Sequence, residues 1–387
     1  CQEPRLGGIA VVLGFFIPLV ALFFTESYVA SIFYAQPKRI VGLLGGGLVV
    51  AILGALDDIR GVRPRTKLLV QTLAALFAYA CGYRIEGMLL PYVGTVHLAW
   101  LSIPATCLWF VAIINALNLI DGLDGLAGGV AFFACLGNFA MGTLGDAYMV
   151  MLLSATLAGS IIGFLVFNFN PASIFMGDSG SMFLGFVLAA TSLLGALVKN
   201  TTVVAIAVPV MVLGLPIADT AIAMLRRALT RRPIMTADRG HIHHRLLDLG
   251  LTHRRAVLSL YGVCAALTVA AVAASLGRGL ETTVALVLFA VVLAGLIRIA
   301  GVFDRAMVAS QRRMVPLNDV TARVRAALPD ALLALTPSTR VTQLDAALAA
   351  FVTQAGLRSA AFTNGETPVA GPDVVRCVCG DSFVDFT

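Results

Sequence analysis

The sequence predicts an all-α polytopic membrane protein with about ten transmembrane helices and a small α/β cytoplasmic appendage at its C-terminal end. Charged residues make up only 12% of the 387 residues, and hydrophobic residues make up 59%. A soluble globular protein carries about 25% charged residues. The apolar residues also occur in blocks of roughly the 20 residues that a helix needs to cross a bilayer. We therefore expect the lipid bilayer to be the main solvent of this chain.

Ten apolar blocks predict the spans, and the polar segment 84–98 between the third and fourth predicts an irregular or hairpin excursion. Together they form an expected membrane domain over residues 1–300. The predicted spans are 8–24, 40–56, 68–83, 99–116, 126–142, 147–167, 181–198, 202–225, 256–275 and 282–300.

The composition changes after residue 300, where apolar runs become shorter. Residues 341–355 have helical periodicity, and residues 373–386 are typical of a strand pair with a Gly-Asp turn. We expect residues 301–387 to form a small separate domain, whose role the sequence does not reveal.

The distribution of Lys and Arg predicts the orientation in the membrane. Loops after even-numbered spans (the even-side loops) share a side with the N-terminus. That side holds thirteen Lys and Arg residues, twelve in the loops and Arg5 before the first span, whereas the opposite loops hold five. Positive charge marks the cytoplasmic side. The net charge of +6 comes largely from these loops, so we expect no nucleic-acid partner.

The first even-side loop, 57–67, begins with two adjacent acids. Asp57 and Asp58 end an apolar span, and Lys67 and three arginines follow. Adjacent carboxylates attract a hard cation, and the basic side chains suit phosphate oxygens. The alternative is a solvated loop that only caps a helix.

The second loop, 115–125, carries four amide and acid side chains at intervals of three: Asn115, Asn118, Asp121 and Asp124. Residues three apart share one face of a helix. Placing such a face near lipid is costly unless it binds something, which favours a functional site over a simple helix end.

The third loop, 168–180, contains Asn168, Asn170 and Asp178, with Asp178 between two glycines at the start of an apolar helix. Free backbone N–H groups at a helix start suit a phosphate or a metal-bound phosphate. The alternative is that Asp178 only caps the helix.

The fourth loop, 226–255, is called the His loop because three of the chain's five histidines fall within four of its residues: His241, His243 and His244. Zinc is one alternative, but the spacing is awkward for one ion and no Cys lies nearby. A plain basic loop is another. Contact of the histidines and arginines with an anion is favoured.

Span parity places all four loops at one membrane face. Their carboxylates, amides, histidines and basic side chains suit Mg²⁺-assisted chemistry on a diphosphate, and the apolar body suggests a lipid substrate. A transporter or flippase is the rival class. Transporters place their acids near the bilayer midplane, whereas these acids lie at span ends.

Over residues 4–255, from PRLGG at 4–8 through the His loop, the four motifs in this order resemble the polyprenyl-phosphate N-acetylhexosamine-1-phosphate transferases of the glycosyltransferase family 4 type. RGHIHHRLLDLGL at 239–251 is similar to the branch that uses UDP-N-acetylglucosamine (UDP-GlcNAc), rather than the phospho-N-acetylmuramoyl-pentapeptide transferases. Family members usually have one more span before PRLGG, so we expect an eleventh helix to be missing at the N-terminal end of this chain.

The resemblance implies an enzyme that transfers N-acetylglucosamine 1-phosphate from UDP-GlcNAc to undecaprenyl or another polyprenyl phosphate and releases UMP. This would be the first membrane step of a cell-wall or surface polysaccharide, at the cytoplasmic face of the cell membrane. The oligomeric state is open, with a homodimer as one candidate. Direct attack of the lipid phosphate and a covalent aspartyl-phosphate route both remain open.

The resemblance also implies residue roles. Asp178 corresponds to the main Mg²⁺ ligand, with Asn118 or Asp121 beside it and Mn²⁺ as a substitute ion. The implied catalytic acids are Asp57, Asp58, Asp121 and Asp178. Lys67, His241, His243 and His244 would bind the diphosphate and the sugar phosphate, and Asp124, Asn168 and Phe175 match positions that recognise uridine.

Overall fold

The computed structural model describes residues 7–90, 94–198, 204–230, 241–276 and 279–299, residue 350, and the strand residues 360–363, 375–379 and 382–386. The chain divides into two compact units, Cys1–Phe303 and Asp304–Thr387. The first unit is mostly helical. Its helices are α1 (Gly8–Ala21), α2 (Tyr28–Tyr34), α3 (Pro37–Arg60), α4 (Pro64–Ala80), α5 (Ser102–Ile120), α6 (Leu126–Leu144), α7 (Tyr148–Asn168), α8 (Gly177–Val198), α9 (Val204–Val212), α10 (Gly214–Thr230), α11 (Ile242–Asp248), α12 (His253–Ser275) and α13 (Gly279–Ile299).

Within the described residues, six helices are long and apolar enough to cross a membrane. The number rises to seven if α1 and α2, which are bent by 101° relative to each other, count as one span. The prediction of a many-helix membrane protein is confirmed at this level, and the count of about ten stays a prediction. The six are Pro37–Arg60, Ala99–Ile120, Leu126–Leu144, Tyr148–Asn168, Gly177–Gly195 and His253–Ser275.

One predicted span, 202–225, is not a single helix in the structure. It comprises α9 and α10, which meet at Leu213. Pro216 has no N–H to donate to the carbonyl of Val212, and a proline inside a helix breaks its hydrogen-bond ladder. The backbone hydrogen bonds on either side, from Leu213 to Pro209 and from Ile217 to Leu213, remain.

The excursion predicted at 84–98 is confirmed as a pair of antiparallel strands, β1 (Gly87–Leu90) and β2 (Gly94–His97). In the second unit, β3 (Ala360–Thr363), β4 (Val375–Cys379) and β5 (Ser382–Phe386) form a sheet in the order β3–β5–β4. Its β4–β5 pair confirms the strands predicted at 373–386, although the turn residues 380–381 lie outside the described residues. The helix predicted at 341–355 also lies outside them, apart from Ala350.

Helix α8 lies at the centre of the helical unit. It packs against α3 and α5, and Phe183, Leu184 and Ala189, which lie on different faces of it, are fully buried. A helix that is apolar all round is expected in such a buried position. The N-terminal end of α8, which begins at Gly177 with Asp178 in its first turn, is therefore held between its neighbours.

Candidate active site

Asp58, in the last turn of α3, caps the N-terminus of α8. Its Oδ1 accepts a hydrogen bond from the backbone N–H of Asp178 at 2.8 Å, and its Oδ2 accepts one from Ser179 at 3.0 Å. The first N–H groups of a helix have no partner within the helix, and a carboxylate is a favoured acceptor for them. Asp58 thus fixes the position of Asp178 through the backbone.

Asp57, its neighbour, faces a different partner. Its Oδ1 accepts from the N–H of Val62 at 2.6 Å, and its Oδ2 pairs with the ammonium of Lys67 in the first turn of α4. The same ammonium lies 2.7 Å from Oδ2 of Asp178. Partial burial acts to lower the pKa of Lys67, but hydrogen bonds and charge attraction from Asp178 and Asp57 raise it overall. Lys67 therefore stays charged at neutral pH between two predicted catalytic acids.

Asn118 and Asp121 approach the same point from the end of α5. The amide of Asn118 donates to Oγ of Ser181 at 3.0 Å and lies beside the carboxyl of Asp178. Asp121 ends the helix, where burial and the nearby charges of Asp178, Asp58 and Asp124 raise its pKa to about 7. Burial is the main cause of this rise in pKa, and the three neighbouring carboxylates add to it.

The predicted Mg²⁺ ligands fit a hard cation in donor type and charge. Asp178, Asp121 and Asn118 offer oxygen donors, which Mg²⁺ prefers, and the accumulated negative charge would be relieved by a cation. Within the residues that the structure describes, no three His, Cys, Asp or Glu side chains are arranged together as metal ligands. The predicted set contains only two such side chains, so this finding leaves it untested.

Asn168 and Asp124 hold the loop between α7 and α8. Buried Asn168 accepts from the N–H of Gly125 at 3.0 Å and donates to the carbonyl of Ile174 at 2.8 Å. Oδ2 of Asp124 accepts from Nδ2 of Asn170 at 2.9 Å and from the N–H of Ala172 at 3.2 Å. Both side chains therefore have structural partners, and their role in uridine recognition stays a prediction.

Phe175, the third residue predicted to recognise uridine, lies in the same loop and is half-buried. Its carbonyl accepts a hydrogen bond at 3.0 Å from the N–H of Gly7, and the neighbouring carbonyl of Met176 accepts one at 2.8 Å from Gly8. The two glycines of the PRLGG segment thus tie the start of α1 to this loop. The backbone of Phe175 is therefore held in place, and stacking of its ring on uridine stays a prediction.

The His loop enters the site at α11. His241 and His243 have parallel rings 5.7 Å apart, and the rings of His243 and His244 are 4.3 Å apart and tilted by 48°. Nδ1 of His241 lies 2.8 Å from Oδ2 of Asp219. The preceding segment 231–240, which contains part of the predicted basic loop, lies outside the described residues.

His243 makes the contact between this loop and the Asp121–Asp124 turn. A Cβ built on Gly122 would lie 3.0 Å from Cε1 of His243 and closer still to Nε2. The ring is buried, and within the described part of the chain neither of its nitrogens has a hydrogen-bond partner. Burial, and then the charge of His244, lower the pKa of His243 to about 4, so it is neutral at pH 7.

The structure thus brings together residues from all four predicted loops: Asp57, Asp58 and Lys67 from the first, Asn118, Asp121 and Asp124 from the second, Asn168, Phe175 and Asp178 from the third, and His241, His243 and His244 from the fourth. Sequence reasoning missed Asp219, Arg254 and Tyr261. Arg254 donates to the carbonyl of Asn170 at 2.8 Å, and the hydroxyl of Tyr261 donates to the carbonyl of Gly125 at 2.5 Å. Of these three residues, only Asp219 could have been found from the sequence, because it is an acid inside an apolar block.

Comparison with known proteins identifies similar chains. Residues 40–196 match the model of glycosyl transferase family 4. The chain is 40% identical to the probable undecaprenyl-phosphate N-acetylglucosaminyl 1-phosphate transferase of Bacillus subtilis, over 67% of this chain and 69% of that protein. It is 37% identical to the decaprenyl-phosphate N-acetylglucosaminephosphotransferase of Mycolicibacterium smegmatis, over 67% and 68%. A phospho-N-acetylmuramoyl-pentapeptide-transferase of Synechococcus is 33% identical, over 68% and 76%.

Proposed function

The chain belongs to glycosyl transferase family 4, and we propose that it transfers N-acetylglucosamine 1-phosphate from UDP-GlcNAc to a polyprenyl phosphate such as undecaprenyl phosphate, releasing UMP. The observation that carries this proposal is the ammonium of Lys67 between Asp57 and Asp178, at the ends of apolar helices. This contact supports Lys67 as a phosphate-binding cation next to the predicted catalytic carboxylates. The names of the relatives at 37–40% identity support the same donor and acceptor classes.

The reaction requires one P–O bond to form and one to break. An oxygen of the lipid phosphate attacks the β-phosphorus of UDP-GlcNAc, and the bond from that phosphorus to the bridging oxygen breaks as UMP departs with its electron pair. Lys67 supplies a fixed positive charge for phosphate oxygens, and Asp57 orients Lys67. Asp58 holds Asp178 in place from α3. A bound Mg²⁺ at Asp178, with Asn118 or Asp121, would neutralise charge on the diphosphate.

The proposal extends to topology. The twelve basic residues of the even-side loops, together with Arg5, favour a site on the cytoplasmic face of a multi-pass protein with about ten spans. Residues 301–387 would form a cytoplasmic α/β appendage. Cysteine labelling at exposed positions near the site, such as Arg63, should therefore report the cytoplasmic side.

The proposed reaction is tested with purified protein in detergent and added polyprenyl phosphate. We expect UMP release from UDP-GlcNAc to exceed that from UDP-GalNAc and UDP-MurNAc-pentapeptide by about 100-fold or more, since a site built to bind one polar sugar rejects analogues. Chelation with EDTA should abolish release, and Mg²⁺ or Mn²⁺ should restore it. Preference for UDP-MurNAc-pentapeptide would assign the chain to the muramoyl-pentapeptide branch. Nucleotide-independent uptake of a solute would instead support a transporter.

Replacing Asp57 with asparagine should slow turnover by about tenfold to 100-fold, because Lys67 loses one of its two charged partners. If Asp57 also removes a proton from the lipid phosphate, the defect should be largest below about pH 6, the second pKa of a phosphate monoester. Above that pH the phosphate is already dianionic, and the defect should shrink. Initial rates between pH 5.5 and 8.5 measure the pH dependence of the defect. A defect of equal size at every pH would show that Asp57 only positions Lys67 and removes no proton.

A further inference from the structure

Asp219 is a buried acid in α10 that belongs to none of the four predicted loops. Its exposed fraction is 3%. Its Oδ2 lies 2.8 Å from Nδ1 of His241, and its Oδ1 accepts a hydrogen bond at 2.8 Å from the N–H of Ile242. Both carboxylate oxygens therefore bind the beginning of the His loop, which is more than 20 residues away in sequence.

An acid in this position needs a reason. A buried carboxylate is costly unless it is paired and hydrogen-bonded. An apolar residue at position 219 would avoid that cost. The partner it has is a histidine, and a carboxylate bound to one ring nitrogen fixes the tautomer and orientation of the imidazole. With Nδ1 held by Asp219, Nε2 of His241 is the nitrogen left for a ligand.

The carboxylate is connected to the candidate active site through two stacked rings. His241 lies parallel to His243 at 5.7 Å, and His243 packs against Gly122 between Asp121 and Asp124. Lys67, in contrast, joins Asp57 and Asp178. The His loop thus meets the site at the Asp121–Asp124 turn, which carries the predicted uridine contact Asp124, and not at Lys67.

We propose that Asp219 is a positioning residue for donor binding: it holds His241 so that Nε2 contacts a phosphate oxygen of the nucleotide diphosphate. In that complex both ring nitrogens donate, Nδ1 to the carboxylate of Asp219 and Nε2 to the phosphate oxygen, and hydrogen bonds to anionic acceptors are the stronger ones. The inference rests on the proposed function, because it assigns the diphosphate of the nucleotide sugar to this side of the site.

The test is Asp219→Asn. The asparagine Oδ1 still accepts from Ile242, while the group facing His241 loses its charge. Loss of an outer partner that orients a functional histidine typically costs about tenfold to 100-fold. We expect the KM for UDP-GlcNAc to rise by about tenfold or more and the KM for polyprenyl phosphate to stay unchanged. The affinity for UDP alone, measured by calorimetry, should fall by a similar factor.

Two comparisons separate positioning from a structural role. Asp219→Glu retains the charge and should recover part of the loss, and Asp219→Asn should add little to His241→Ala, since both act on one contact. A fall in kcat alone, equal loss for both substrates, or multiplicative effects in the double variant would overturn the proposal. If Asp219→Asn does not fold, His241→Ala still tests the proposal. An unchanged affinity of His241→Ala for UDP would refute the contact of His241 with the diphosphate. Failure of the unaltered protein to use UDP-GlcNAc would instead refute the proposed function, and UDP binding would still test Asp219.

Discussion

Replacing Asp178 with alanine is expected to abolish UMP release, with a loss of at least about 1,000-fold in kcat, the scale of removing one preorganised electrostatic contact to the reacting groups. The carboxylate binds Lys67 at 2.7 Å and lies beside Asn118. It is also the principal proposed Mg²⁺ ligand. The substitution removes all of these interactions from the point where the proposed phosphate transfer occurs.

The fold should survive this change, because Asp58 caps α8 through the backbone N–H groups of Asp178 and Ser179 and not through the Asp178 side chain. Size-exclusion profile and thermal midpoint in detergent should therefore match the unaltered protein. Asp178→Asn and Asp146→Asn form a matched pair of carboxylate-to-amide changes, and Asp146 is exposed in the turn between α6 and α7. Activity near normal in Asp178→Ala would contradict the assigned role.

The convergence of the four loops could be predicted from sequence because polar residues at the ends of apolar blocks have few structural explanations. Asp57 and Asp178 are 121 residues apart, yet span parity alone places them at one face. What parity does not give is the pairing of individual side chains. Lys67 between the two acids depends on how α3, α4 and α8 pack, and no local pattern encodes that.

The different partners of Asp57 and Asp58 illustrate the same limit. Successive residues of an α-helix are rotated by about 100°, since 3.6 residues make one turn. Adjacent acids on α3 therefore face different neighbours: Asp57 faces Lys67 on α4, and Asp58 faces the start of α8. The sequence shows only an Asp-Asp pair, which suggests a shared role.

Asp219 was missed for a different reason. Residues 202–225 are apolar enough to predict a single span, and one acid within them does not alter that pattern. Two local features carried information that was not used: Pro216, which ends the hydrogen-bond ladder between α9 and α10, and the acid itself three residues later. An acid that follows a helix break inside an apolar block indicates a buried partner, here His241.

Gly54→Ala should disrupt the site although no predicted catalytic residue is replaced. Gly54 lies one helical turn before Asp58 on α3, so both residues face the start of α8. A Cβ at Gly54 would lie 2.5 Å from the backbone nitrogen of Ser179 and also overlap the carbonyl oxygen of Asp178. Real Cβ contacts are essentially never shorter than 3.0 Å, and backbone atoms inside a packed helix cannot rotate away. The two helices must therefore separate.

Separation of α3 from α8 would lengthen both hydrogen bonds of Asp58 and move Asp178 away from Lys67. We expect a stability loss of about 3 kcal/mol, the scale of overpacking a tight core, and a fall in kcat of roughly 100-fold from misplacement of the reacting groups. The sign of the stability change is diagnostic, because replacing glycine with alanine in a helix interior otherwise stabilises the helix by about 1 kcal/mol. Gly163→Ala in α7, where a Cβ would meet nothing within 4 Å, is the matched control and should retain full activity. If both variants had the same thermal midpoint and kcat, the close contact of α3 with α8 would not be what positions Asp178.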